Sequence, residues 1–329
     1  MELGYSLSAE EHPPLALVDH ARRAEQAGFT FALVSDHFHP WIDRQGHSAF
    51  VWNVVGGIAV ATNELELGTG VTCPLIRMHP ALVAQAAATA AAMMPGRFFL
   101  GVGTGENLNE HVLGDHWPPA AKRRSMREEA VRLMHELWEG ELTSFEGEHY
   151  RVENARIYTL PDEPIGVLVA ASGTKAAELA GRIGDGLIST APEPELVEAF
   201  EDAGGSGPKI GQLTVCWAET EEEARKTAHE IWPNAALTGP LGQELALPSH
   251  FEAAVEMVDE DEVAKSVVCG PDESRHLEAI EAFATAGFDR VYVHQVGPDQ
   301  LGFMDFYEQE IMPTAAAIQP RARRATRAA

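Results

Sequence analysis

The chain has 329 residues, 45% of them hydrophobic, and a formal net charge of -26. That length allows one large core or two ordinary ones, and the charge argues against a nucleic-acid or anionic-membrane partner. No run of about 18 apolar residues is present to span a bilayer, and MELGYSLSAEEH lacks the basic start and apolar stretch of a secretory leader, so a cytoplasmic protein is expected.

In chain order, ELGYSL reads as a strand and PLALVDHARRAEQAGF as a helix. TFALVSD precedes the helical FVWNVVGGIAVATN, LELGTGVTC precedes HPALVAQAAATAAAMM, and RFFLGVGTG precedes SMREEAVRLMHELWEG. Then IGVLVAAS leads to TKAAELAGRIG, GLIST to PELVEAFEDAGG, IGQLTVCWA to EEEARKTAHEIW, and RVYVHQV to QLGFMDFYEQEIM. Strict alternation predicts parallel strands with helical crossovers. Eight such units predict an α/β fold, a (β/α)8 TIM barrel with insertions. The alternative is an open doubly wound sheet, but no G-x-G-x-x-G follows the first strand. Ala-Gly-Phe recurs at a helix-to-strand junction, at Gly28 and Gly287, where a left-handed helix stop suits glycine.

Residues 1–318 are expected to form the one barrel domain. FEGEHYRVENARIYTLP alternates around Gly147 and predicts a hairpin insertion at about 143–160. Residues 233–270 exceed one compact βα unit and predict a helical excursion over the barrel mouth. The basic, alanine-rich residues 319–329 predict a disordered tail. Cys73, Cys216 and Cys269 are far apart and form no CxxC pair, so they read as buried thiols rather than metal ligands. His37 and His39 have no accompanying carboxylate set at ligand spacing, and no metal is expected.

In such a barrel the C-terminal strand ends build the active site. The stretch ALVSDHFHPW, an apolar strand ending in Asp36, His37 and Trp41, then has a purpose, because residues past the strand can face a ligand. The other strand ends contribute Ser8, Glu10 and His12; Thr69 to Pro74; Thr104, Glu106 and Asn109; Ala171 to Gly173; Ser189 and Thr190; Trp217 and Glu219; and His294 and Gln295.

SDHFHPW, GTGVTCP, PGRFFLGVGTGENLNE and AGRIGDGLIST resemble the luciferase-like flavin and deazaflavin oxidoreductases. They are most similar to the branch containing the coenzyme F-420-dependent glucose-6-phosphate dehydrogenases. The resemblance runs from Gly4 to about Pro313. It implies a bacterial-luciferase-like barrel holding 8-hydroxy-5-deazaflavin at its mouth, and a homodimer. By that resemblance Asp36, Gly70, Val71, Cys73 and Asn109 contact the cofactor. Gly70 and Val71 form a bulge behind the ring, often with a non-proline cis peptide. Ser172 and Gly173 offer backbone N–H groups to the cofactor phosphodiester; on charge alone, Arg77 and Lys175 are expected to help. His37 is implied as catalytic base, Trp41 as an aromatic wall, Glu106 as a proton donor near the ring and Glu10 as a second acid. Thr190 matches a substrate-binding position.

The chemistry of these side chains agrees. Hydride leaves an alcohol carbon readily only if the hydroxyl proton also goes, and imidazole suits that transfer. An acid near the ring offsets charge as hydride arrives, and the deazaflavin itself carries the hydride. The branch's phosphate-binding lysines and arginine fall near Glu193, Gly242 and Ser266, beside Lys265, so the cations for a sugar phosphate are missing. An uncharged alcohol or aldehyde is therefore the expected small-molecule substrate. The alternatives are an FMN-dependent monooxygenase on the same scaffold and a cofactor-sequestering protein.

Overall fold

The barrel strands are short apolar runs buried on both faces. The computed structural model describes residues 1–321 and places β1 at Glu2–Leu7, β2 at Phe31–Val34, β3 at Glu66–Thr69 and β4 at Phe98–Val102. Next come β5 at Thr143–Glu146, β6 at Arg151–Ala155, β7 at Gly166–Ala170 and β8 at Gly186–Ser189. β9 spans Lys209–Cys216, β10 Val268–Cys269 and β11 Arg290–Gln295. One face of these strands, with Phe31, Leu33, Phe99, Leu168, Ile188, Ile210 and Tyr292, forms an inner cluster. The alternate residues Ala32, Val34, Leu100, Val102, Val167 and Val169 pack outward with the helices.

The strands close on themselves. Around the ring the order is β1, β2, β3, β4, β7, β8, β9, β11 and back to β1, all parallel. This is the (β/α)8 barrel, with β10 added outside β9. The inward rings need space on neighbouring strands: a Cβ added at Gly68 would lie 2.0 Å from Phe99, and one at Gly4 2.5 Å from Phe31. At the two Ala-Gly-Phe junctions, Gly28 (φ 92) and Gly287 (φ 102) are left-handed. There the Phe29 N–H reaches back to Ala24 O and the Phe288 N–H to Phe283 O, each at 3.0 Å, so the phenylalanine folds onto its helix.

β5 and β6 form an antiparallel hairpin between the helix Ala120–Trp138 and β7. It is anchored by Glu129, whose carboxylate accepts the N–H groups of Glu148, His149 and Tyr150 at 2.9, 2.9 and 2.7 Å. Burial opposes the Glu129 charge, but these three donors prevail and hold its carboxyl below the ordinary value. A depressed folded-state value stabilises above the unfolded one and is lost as pH falls through the folded one. Glu129→Gln is expected to cost about 1–2 kcal/mol at neutral pH, and the deficit should vanish below the usual carboxylate range. Urea melts at pH 7 and pH 3.5 test this; an equal deficit at both would refute it.

Residues 233–270 run as short helical pieces, Pro233–Ala236, Leu241–Glu244, Pro248–Val255 and Glu260–Val263. They lie against the loops after β2 and β4. Arg123 reaches Gln243 Oε1 at 2.8 Å, Asn107 Nδ2 donates to Glu244 O at 3.0 Å, and Gln45 Nε2 donates to Asn234 Oδ1 at 3.3 Å. Most of the tail expected from Gln319 lies outside the described residues. Arg321, within them, is anchored: its N–H donates to Ala284 O at 2.8 Å. No helix among the described residues is long and apolar enough to cross a membrane.

Candidate active site

The loop after β2 is fixed by a buried ion network. Asp36 is 4% exposed. Its Oδ1 accepts from Arg77 Nη2 at 2.8 Å and its Oδ2 from Thr72 Oγ1 at 2.9 Å. Arg77 also gives its backbone N–H to Glu110 Oε2 at 2.9 Å and places Nε 3.5 Å from Oε1. Burial raises the Glu110 carboxyl above its ordinary value. Burial works against the Arg77 charge, yet Asp36 and Glu110 outweigh it and the guanidinium is held above its usual value. Both Asp36 oxygens are thus engaged by protein, and Arg77 is not a free cation for a phosphodiester.

One amide organises the proton-bearing groups. Asn109, 1% exposed, accepts at Oδ1 the N–H groups of Phe38 and His39, at 2.9 and 3.2 Å. Two backbone donors fix the amide's orientation, so the group facing His37 Nδ1 at 3.1 Å and Glu106 Oε2 at 3.3 Å is the Nδ2 donor. His37 and Glu106, from different strand ends, therefore meet at one nitrogen. His37 Nδ1 is also 3.1 Å from His39 O, and its Nε2 is 3.3 Å from Glu10 Oε1. Glu10, 3% exposed, takes hydrogen bonds at Oε2 from Ser35 Oγ and from Ser8 Oγ.

The walls are apolar. The Trp41 ring lies 4.9 Å from that of His37 and 5.2 Å from Phe251 of the excursion. Ile42, Leu108, Leu237 and Leu245 complete this patch. The Gly70–Val71 peptide is cis, and Val71 and Ala170 are partly exposed on top of the barrel's inner cluster, making an apolar floor. Cys73 is 3% exposed, and a Cβ at Gly105 would lie 2.6 Å from its sulfur. Burial, then the Glu110 and Glu106 carboxylates, push its thiol well up, so it is an inert filler. Ser172 and Gly173 follow β7 and open the helix Thr174–Ile183. Thr190 is exposed after β8, one strand further round the ring.

The structure thus gathers Glu10, His37, Trp41, Glu106 and Asn109 in one cluster, with Gly70, Val71, Ser172 and Gly173 around the same mouth and Thr190 beside it. It sets Asp36 and Cys73 behind them. Residues not singled out from the sequence include Ser35, Glu110 and Phe251. Glu11 is another: it is buried 2.7 Å from His294, which the sequence did place at a strand end. No group of three or more His, Cys, Asp or Glu arranged to hold a metal occurs among the described residues.

The comparisons place this parallel barrel, with an imidazole, two carboxylates and an indole at its mouth, in a class. Residues 1–290 match the family described as luciferase-like monooxygenase, and the chain belongs to that family. Within it the chain stands among the coenzyme F-420-dependent oxidoreductases. It is 36% identical to an F-420-dependent glucose-6-phosphate dehydrogenase of Nakamurella multipartita over 97% of each chain. It is 34% identical to one of Nocardia farcinica, over 97% of this chain and 99% of the relative. A solved F-420-dependent secondary alcohol dehydrogenase, in complex with an F-420–acetone adduct, has TM-score 0.88 and 29% identity over 95% of this chain and 98% of its own. The coenzyme F-420-dependent tetrahydromethanopterin reductase of Methanopyrus kandleri shares the fold, with TM-score 0.77 and 20% identity over 95% of this chain and 99% of its own.

Proposed function

We propose that the protein is a coenzyme F-420-dependent oxidoreductase acting on a small uncharged alcohol–carbonyl pair, with His37 as the base. The observation that carries the reading is the Asn109 amide nitrogen set 3.1 Å from His37 Nδ1 and 3.3 Å from Glu106 Oε2, which brings the imidazole and the carboxylate to one place. The residues present fit a flat cofactor with an anionic tail: an apolar floor at Val71 and Ala170, and open space at Gly173, where an added Cβ meets nothing within 4 Å. When bound, the deazaflavin supplies the ring carbon that exchanges hydride.

The chain's part is proton handling and exclusion of water. His37 Nδ1 has both a donor, Asn109 Nδ2, and an acceptor, His39 O, at 3.1 Å. In the tautomer with Nδ1 protonated, the Nδ1–H goes to His39 O, Asn109 Nδ2 is left to Glu106 alone, and Nε2 keeps a lone pair that takes the alcohol proton. Glu10, held by Ser35 and Ser8, then faces the imidazolium that forms. Glu106 holds a proton toward the ring, and Trp41 with Phe251 keeps water from the reacting carbon. Cytoplasmic location and homodimeric assembly belong to the same proposal.

The substrate assignment rests on charge. Glu193 precedes the helix Pro194–Asp202, and Gly242 has no side chain to offer. Lys265 is exposed and bonded to Glu262. A phosphate dianion lacks partners there and meets a carboxylate instead, which disfavours it by up to a few kcal/mol in a shielded pocket. The names of the curated relatives favour a second reading, oxidation of glucose 6-phosphate. Absorbance assays with F-420 against secondary alcohols, ketones, aldehydes and glucose 6-phosphate separate the two. Turnover with an uncharged member and poor saturation by the sugar phosphate is expected. Micromolar saturation by glucose 6-phosphate supports the second reading, and tight FMN binding without deazaflavin binding overturns both.

A further inference from the structure

The helix Ala120–Trp138 carries two arginines that are each 1% exposed, Arg123 and Arg127. Arg123 finds a carboxylate: it reaches Glu244 at 3.5 Å, bonds Gln243 and Pro118 O at 2.8 Å each, and lies over the Trp117 ring. Arg127 does not. Its one hydrogen bond runs from Nη1 to Ala170 O at 2.7 Å. Its Nε and Nη2 are buried and have no hydrogen-bond partner among the described residues. The side chains acting on its charge are the Cys73 thiol and Arg124. Burial pushes it down to about 10, so it remains a cation at neutral pH. An unpaired buried charge is strongly unfavourable, and this one is unpaired in a chain with 50 acidic residues.

Its position gives the charge a use. Ala170 is the last residue of β7, and the chain passes through Ala171, Ser172 and Gly173 into the helix Thr174–Ile183. The Ala171 N–H is taken by Ile188 O, and those of Ala176 and Ala177 by Gly173 O. The N–H groups of residues 172–175 have no acceptor among the described residues, and the space beside Gly173 is open. Of the other cations near this mouth, Arg77 is neutralised by Asp36 and Glu110, and Lys175 is exposed to solvent in the first turn of the helix.

We propose that Arg127 is the counter-charge for the phosphodiester of the deazaflavin cofactor, acting from behind the 170–173 turn. It is a positioning residue. Nη1 fixes the Ala170 carbonyl, and with it the peptide run whose N–H groups face the anion. The unneutralised guanidinium supplies positive potential through that turn without touching the ligand. This rests on the cofactor reading above and adds to it a residue within a charged helix.

Fluorescence titrations of wild type, Arg127→Met and Arg127→Lys test it. Each is titrated with F-420 and with 8-hydroxy-5-deazariboflavin, which shares the ring but lacks the phosphodiester. Arg127→Met is expected to weaken F-420 binding about 10- to 100-fold, to leave the phosphate-free ligand within about twofold, and to flatten the salt dependence of F-420 binding. Arg127→Lys should restore part of the preference for F-420. Melting of the ligand-free Arg127→Met protein should be unchanged or raised, because an unpaired buried charge has been removed; a purely structural arginine would give the opposite. Proportional loss of both ligands, or no loss of either, overturns the proposal. If Arg127→Met does not fold, Arg127→Lys with no recovered preference for F-420 overturns it equally. Wild-type protein binding neither ligand overturns the cofactor reading itself.

Discussion

A His37→Ala variant is expected to bind coenzyme F-420 within a few-fold of wild type and to turn over about 10²- to 10⁴-fold more slowly, the usual range for loss of a general base. The reason is local. The His37 side chain is 10% exposed and ringed by Glu10, Asn109, His39 and Trp41. Its polar contacts bind it to the neighbouring loops, whereas the barrel core lies below in a separate cluster. Truncation therefore removes the proton acceptor without opening a cavity in the core. Single-turnover rates with saturating substrate, read alongside a cofactor titration, separate chemistry from binding. A turnover within threefold of wild type would remove His37 from the mechanism.

Replacing Arg77 by methionine should cost stability on the order of 3–5 kcal/mol, because breaking a buried ion pair from one side strands the partner charge. Here two partners are stranded, Asp36 and Glu110, whose side chains are each 1% exposed. The loss should depend on pH. Burial already holds the Glu110 carboxyl above its ordinary value, and removing Arg77 raises it further. A carboxyl raised in the folded state keeps a proton that the unfolded chain has released, so stability falls as pH rises through that interval. The deficit relative to wild type should be largest at neutral pH and shrink in acid. Denaturant titrations at pH 5 and pH 7.5 measure it. A loss below about 1 kcal/mol at pH 7.5, the worth of a surface pair, would contradict the network described.

The barrel was legible because each strand carries its own boundary. Phe31–Val34 stops at Ser35, Phe98–Val102 runs into Gly103, and the Ala-Gly-Phe junctions mark helix ends through backbone preferences that act within a few residues. The hairpin around Gly147 was legible for the same reason. The excursion at 233–270 was expected as helical, and its pieces are short because Pro233, Pro240 and Pro248 repeatedly break and restart the helix.

The site was half legible. His37, Glu106 and Asn109 could be placed at strand ends, but not the fact that one amide nitrogen serves the other two. Asp36 and Cys73 stand at the expected strand ends, yet their polar atoms are turned to Arg77, Thr72 and Glu110, partners tens of residues away that no local pattern joins. Arg127 sits in a helix whose charge suggests solvent. The signal was there: stepping back by four residues along the buried stripe from Val131 lands on Arg127 and then Arg123. Side-chain type hid what the helical phase revealed.

The Asn109 amide belongs to the turn after β4, whereas Phe251, Leu237 and Leu245 come from the 233–270 excursion. On the proposed reading, Trp41, Ile42 and Leu108 share loops with the proton-handling residues, and the rest of the substrate wall is carried by a separate stretch of the polypeptide. That stretch can then be remodelled to admit a bulkier or more polar guest without altering the contacts among Asn109, His37 and Glu106.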